Sequence, residues 1–170
     1  LFMGLEHMSQ SMEPLRYMPE FTGLLAKFEN PLLGIAVGAI FTAIIQSSSA
    51  SVGILQTLAL SGVITLPSAI YVLFGQNIGT CITAILASIG SERNAKRATL
   101  IHLLFNVIGT VIFVAISMTT PFVHWMEGLT PGNVPVQIAN VHTIFNVVTT
   151  FLLLPFGAQL VRLTYVFLPN

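Results

Sequence analysis

The placement of charge constrains this chain more than any other feature. No Asp, Glu, Lys or Arg occurs between Glu29 and Glu92, between Arg97 and Glu127, or between Glu127 and Arg162. Each gap is long enough for at least one passage through a hydrocarbon core, which takes about 20 helical residues. The chain is 54% hydrophobic and 7% charged, against roughly 25% charged in soluble domains. Water is therefore not its main solvent, and the fold class expected is an all-α integral membrane protein. Six basic and six acidic side chains cancel, so no polybasic surface argues for nucleic-acid binding. The single cysteine, Cys81, can form no internal disulfide and reads as a small packing residue. There is no signal-peptide pattern at the start. Leu1 to Leu5 read instead as the middle of an apolar helix, so the natural chain is expected to extend upstream.

Three stretches follow from this pattern. Residues 1–30 read as the end of a membrane helix plus an interfacial segment containing Pro14, Pro19 and several charges. Residues 31–64 read as a re-entrant hairpin. Asn30-Pro31 opens a helix well, with Asn as cap and Pro at the first helical position. The apolar run that follows, about 14 residues or roughly 21 Å, is too short for a core of about 30 Å. It stops at Gln46-Ser47-Ser48-Ser49-Ala50-Ser51, and a second short apolar run follows. One long tilted helix with a serine-rich middle is the alternative. Residues 65–170 are expected to hold three transmembrane helices, at about 67–90, 98–117 and 138–160, with connecting loops at 91–97 and 119–137. The first of these carries Gly75-Gln76-Asn77-Ile78-Gly79-Thr80 in its middle. Two glycines around polar residues at membrane depth mark a broken helix, tolerated where it is buried in protein or lines a cavity.

Charge also orients the chain. The loop from Glu92 to Arg97 has three basic residues and one acid, so it should be cytoplasmic. Counting back, the turn near Thr65 is external, and a hairpin puts residues 13–29 outside too. That segment carries two basic residues and three acids, which suits an external position better than an internal one. The last two spans echo each other. Ile101-His102-Leu103-Leu104-Phe105-Asn106-Val107 recurs as Val141-His142-Thr143-Ile144-Phe145-Asn146-Val147, and Thr110 corresponds to Thr150.

The polar residues inside these apolar runs are the candidates for chemistry. Gln46, Ser47, Ser48 and Ser49 supply donors and oxygen acceptors together, and a half-helix starting there would turn free N–H groups and its positive dipole end toward an anion. Packing of helices through serine is the plainer reading. Gly34, Gly38 and Thr42 form a small-residue face leading to Gln46, which that face should direct toward a packed interior. Gln76, Asn77 and Thr80 offer hard oxygen ligands suited to an alkali cation, or merely shape a kink. His102 with Asn106 and His142 with Asn146 are i, i+4 pairs on single helix faces, suited to hydrogen bonds between helices or to lining a site. No transition-metal spacing, nucleophile-base-acid set or NTPase phosphate loop is present, so an enzyme is not expected.

At these residues the chain resembles the type II sodium/phosphate cotransporter family, particularly its bacterial members. The resemblance rests on Gln46-Ser47-Ser48-Ser49-Ala50, on Gly75 to Thr80, and on the segments beginning at His102 and His142. It implies one inverted-repeat half of a carrier whose two halves each bear such a serine hairpin, here the second repeat. It further implies substrate contact at Gln46, Ser47, Ser48 and Ser49, and sodium at Gln46, Ser49, Asn77 and Thr80. Gln76, His102, Asn106, His142 and Asn146 would complete the lining. The function implied is sodium-coupled symport of inorganic phosphate across the cell membrane, with no cofactor other than sodium as coupling ion. Partners would be phosphate, sodium, the lipid bilayer and an upstream repeat of the same protein, with homo-oligomers left open. Many bacterial relatives continue into a PhoU-like cytoplasmic helical domain. Transport of another small oxyanion or solute, and a non-transporting membrane scaffold, are the competing functions.

Overall fold

Asn30 caps the first long helix as its sequence suggests. Its Oδ1 accepts from the N–H groups of Leu32 (3.1 Å) and Leu33 (3.3 Å), and Pro31 fills a first-turn position that needs no N–H. The computed structural model describes residues 27–169 continuously, with positions 3, 4, 7, 10, 11, 14, 17–20 and 23 before them. The expected membrane-helix end and interfacial segment at 1–30 lie largely outside the described residues.

Helix α1 (Pro31–Ile45) ends at Gln46, whose left-handed backbone (φ 57°, ψ 22°) turns the chain. Helix α2 (Ser48–Leu60) begins two residues later, with Ser47 as its cap and Ser47 Oγ accepting from Ala50 N at 3.3 Å. Helix α3 (Leu66–Gly79) then runs parallel to α1. A Cβ on Gly34 would meet Tyr71, one on Gly38 would meet Val72 O, and one on Gly79 would meet Ala39 O. Later residues of α1 thus face later residues of α3, and α2 must carry the chain back between them. Thr42 Oγ1 and Ser51 Oγ, 2.7 Å apart, tie the two arms together across the turn. The close approach depends on glycine: a Cβ on Gly38 or Gly75 would overlap a backbone oxygen, Val72 O or Ile35 O.

The interruption expected inside the glycine-flanked segment falls at its last residue. Thr80 separates α3 from α4 (Cys81–Ala87), yet keeps right-handed helical angles (φ −58°, ψ −27°). Gln76 and Asn77 therefore stay on a wound helix, because Gly75 and Gly79 serve contact with α1 rather than unwinding.

Helix α5 (Arg93–Thr119) absorbs Arg93, Lys96 and Arg97, which the charge pattern put in a loop. Arg97 is buried there. Its Nη2 and Nε donate to Leu168 O (2.8 and 3.2 Å), and its guanidinium lies 3.9 Å from the Tyr165 ring centre. The stretch 119–137 also holds more structure than a loop: α6 (Phe122–Leu129) and the start of α7 (Val134–Leu153). Its prolines mislead as breakers, since Pro121 caps α6 and Pro135 sits in the first turn of α7, where no N–H is required. A short 3-10 turn (Leu154–Phe156) containing Pro155 leads into α8 (Gly157–Phe167).

Three helical stretches are long and apolar enough to cross a membrane: Leu66–Ala87, Arg93–Thr119 and Val134–Phe167. Among the described residues there is no strand, and the chain is an all-α integral membrane protein. Its core is aromatic. Phe74, Phe113 and Phe145, from α3, α5 and α7, are at most 1% exposed, with ring centres 5.0 to 5.7 Å apart.

Candidate functional site

At the end of α1 and α3 away from Asn30, the start of α2 meets the α3–α4 junction and the echoed segments of α5 and α7. Between them lies a cleft of about 280 Å³. Ser48 enters it from the first turn of α2, and Asn77 and Thr80 from α3 and its junction. His102, Phe105 and Asn106 enter from α5, and His142 and Asn146 from α7. Every polar group in this lining is a hydroxyl, an amide or an imidazole, with no carboxylate, ammonium or guanidinium. The N–H groups of Ser48 and Ser49 precede the first intrahelical bond, Ser51 N to Ser47 O, so α2 begins with its positive end here. A larger open depression of about 690 Å³ lies beside Lys27, Asn30, Leu32, Leu33 and Ala36. It lies along the outer side of α1, remote from the converging amides and hydroxyls.

The residues expected to act together divide into two groups. Ser48, Asn77, Thr80, His102, Asn106, His142 and Asn146 share the cleft. Gln46, Ser47, Ser49 and Gln76 do not line it. The small face of Gly34, Gly38 and Thr42 is buried against α3 as its pattern suggests. Gln46 nonetheless turns outward, correcting the expectation of a packed interior. It is the C-cap residue in left-handed conformation, so helical periodicity no longer sets its direction, and it is exposed. Ser49 is exposed beside Ser47, their hydroxyl oxygens 3.4 Å apart. Gln76, 3% exposed, points to the hairpin instead of the cleft, its Nε2 donating to Ser51 O at 3.1 Å.

Hydrogen bonds set the atoms that remain available. Thr80 Oγ1 donates to Gln76 O (2.9 Å). Asn106 Nδ2 donates to His102 O (3.0 Å) and to Cys81 Sγ (3.4 Å), and Asn146 Nδ2 donates to His142 O (2.8 Å). Asn77 is 7% exposed, and its Nδ2 has no hydrogen-bond partner; Gln76 Oε1 is also buried without one. Leaving such groups unsatisfied costs about 1–3 kcal/mol each. Among the described residues no three His, Cys, Asp or Glu side chains gather as ligands for a metal ion.

Sequence reasoning missed Phe105 and Ser51. Phe105 was visible only as part of the echo, and an aromatic in a helix reads first as core. Ser51, fully buried, joins Thr42 and Gln76 and so fixes the hairpin tip on α3. Its spacing from Thr42 signals nothing until the turn is known.

Residues 1–130 match the family described as Na+/Pi-cotransporter. The chain belongs to the Na+/Pi-cotransporter family. It is a multi-pass protein of the plasma membrane. The chain is similar to the Bacillus subtilis protein called uncharacterized protein YqeW, 38% identical over 136 residues, covering 79% of this chain and 43% of that one. The human sodium-dependent phosphate transport protein 2B is 37% identical over 135 residues, covering 75% of this chain and 19% of its own length. The Escherichia coli K12 putative inorganic phosphate export protein YjbB is 29% identical over 167 residues, covering 95% of this chain and 30% of its own. The chain thus spans less than half the length of each of these relatives. No solved structure matches it.

Proposed function

We propose that this chain is one inverted-repeat half of a carrier that moves inorganic phosphate across the plasma membrane together with sodium. The observation that carries the reading is the uncharged polar cleft of a Na+/Pi-cotransporter family member, at the start of a short helix. Phosphate is roughly a mono- or dianion near neutral pH, and an uncompensated charge in a low-dielectric site is costly. Hydroxyls, amides and a helix N-terminus offset only part of that charge, and co-bound sodium supplies the rest. Ser48 and the α2 N-terminus would contact phosphate, with Asn77 and Thr80 bordering a sodium ion. Gln46, Ser47 and Ser49, on the tip beside the cleft, would reach the ligands once an upstream repeat closes against them. Carriers of this kind form midplane sites where two repeats meet. In this reading residues 31–64 re-enter the membrane and leave on the external side. Association of whole carriers into homo-oligomers is compatible with the exposed apolar helix faces.

The test is radiolabelled phosphate uptake by the full-length protein in liposomes, with and without an imposed sodium gradient. Sodium-dependent uptake that Ser48→Ala and Gln46→Ala abolish, with normal expression, is expected. Unchanged kinetics in both variants would point to a packing role for the serines. Sodium-independent uptake that follows a pH gradient and vanishes in His102→Ala or His142→Ala would transfer coupling to protons. Net movement outward would match the export named for the Escherichia coli relative. For topology, cysteines near Lys27 and near Thr65 should both react with an impermeant external reagent. Labelling of the first only from the cytoplasm would restore a single long helix.

A further inference from the structure

Building on the sodium-coupled reading, we infer that Asn106 and Asn146, the repeated asparagines of α5 and α7, ligate the coupling cation through their amide oxygens. Each amide is oriented by its own helix. Asn106 Nδ2 donates to His102 O, 3.0 Å away, and Asn146 Nδ2 to His142 O, 2.8 Å away. Asn106 gives its second N–H to Cys81 Sγ (3.4 Å), which leaves Oδ1 for a ligand. Asn146 keeps one N–H, but the bond to its own helix holds the amide so that Oδ1 can serve likewise, and both residues line the same cleft. Thr80 is arranged alike: its hydroxyl hydrogen goes to Gln76 O (2.9 Å), so its oxygen turns lone pairs to the cleft. Three hard oxygen acceptors therefore come from three separate elements.

Asn77 supplies an independent sign that the cleft takes a ligand. It is 7% exposed, lines the same cleft, and carries an Nδ2 without a partner. A buried donor left unpaired is costly. Nδ2 itself is closed off from the cleft, and a turn of the amide toward an anion bound there would supply the missing acceptor. The lining thus separates acceptors for a cation, on Asn106, Asn146 and Thr80, from donors for an anion, on Asn77 and Ser48. Cation and anion bound side by side neutralise each other where the protein offers no charge. Divalent cations are held largely by carboxylates, and none lines this cleft. The site suits a weakly held, exchangeable monovalent cation, which in a carrier is what coupling requires. Two of the four residues expected to bind sodium, Gln46 and Ser49, are exposed outside the cleft, whereas the echoed asparagines already line it.

The experiment reads sodium binding apart from transport. Purified full-length protein is heated in sodium chloride or choline chloride without phosphate, and the rise in Tm is titrated against sodium. Asn106→Leu and Asn146→Leu should each raise the half-saturating sodium concentration by about tenfold or more, the scale of losses at metal sites. Thr143→Val, on an exposed face of the same helix as Asn146, should titrate as the wild type does. Asn146 is half-buried and bonds only within its own helix, so Asn146→Leu decides the matter even where Asn106→Leu fails to fold. A wild-type sodium titration in Asn146→Leu would overturn the inference and leave sodium coupling standing. A wild-type protein whose Tm ignores sodium would overturn both.

Discussion

Residues 101–107 of α5 and 141–147 of α7 are near copies, and in both the asparagine amide donates to the carbonyl of the histidine four residues earlier. Beyond that shared bond they diverge. Along 101–113 of α5 the buried positions are Asn106, Gly109, Thr110 and Phe113, while Phe105 is half-buried in the cleft. Along 141–153 of α7 they are Val141, Phe145, Thr149 and Leu153, while Asn146 is half-buried and Thr150 is exposed. Gly109 and Phe113 correspond to Thr149 and Leu153, buried on both helices, but Asn106 and Thr110 are buried where Asn146 and Thr150 are not, and Phe145 where Phe105 is not. The buried faces are thus turned relative to each other by less than one residue step of about 100°. A repeated sequence reproduces a bond made within one helix. It does not reproduce the rotation of that helix against neighbours, which differ for α5 and α7.

The comparison is broken most severely at the phenylalanines. Phe145→Ala, in the aromatic core, should destabilise the protein by about 3–5 kcal/mol, measured by equilibrium unfolding in mixed micelles. Phe105→Ala should cost well under half as much, because its ring already borders a cleft. Equal losses would abolish the rotational distinction.

Gly109→Ala comes next. Its Cβ would stand 2.7 Å from Thr149 Cγ2 where α5 and α7 meet, and overpacking of this kind costs about 1–3 kcal/mol. Thr149→Ala, which also removes a buried hydroxyl lacking a partner, should recover most of that loss. A double-mutant cycle without coupling would show that the helices do not touch there.

The smallest difference is expected at the paired threonines. Thr110 Oγ1 donates to Phe74 O on another helix (3.3 Å), whereas Thr150 Oγ1 donates to Asn146 O on its own (2.7 Å). Thr110→Val should cost about 0.6 kcal/mol, the mean for hydrogen bonds between membrane helices, and Thr150→Val close to nothing. A reversed order would mean that α7, not α5, turns its threonine inward.

The site was legible in the sequence to the extent that its residues sit at regular helical spacing. The echo announced His102, Asn106, His142 and Asn146, and the glycine-flanked segment announced Asn77 and Thr80. Gln46, Ser49 and Gln76 carried the same polar signal and went elsewhere. A cap in left-handed conformation redirects Gln46, the start of α2 turns Ser49 outward, and Gln76 is claimed by Ser51. Polarity at membrane depth says that a group needs a partner. It does not say whether that partner is a ligand or the next helix.

The amino-acid sequence by itself determined the solvent, the presence of three long apolar helices and the cap at Asn30. These depend on transfer of charge into hydrocarbon and on hydrogen bonds a few residues apart, which composition and spacing express directly. It also determined that Gly34 and Gly38 mark close approach, since a missing Cβ is a local fact; that Gly75 and Gly79 do the same, rather than break their helix, waited for the structure. Only the tertiary structure decided which elements approach each other, which face each helix turns inward, and that Ser48, Asn77, Asn106 and Asn146 border one cleft. Those outcomes depend on packing between residues far apart in the chain. In packing, small differences at each contact add up over a whole helix face, and no single segment contains the sum.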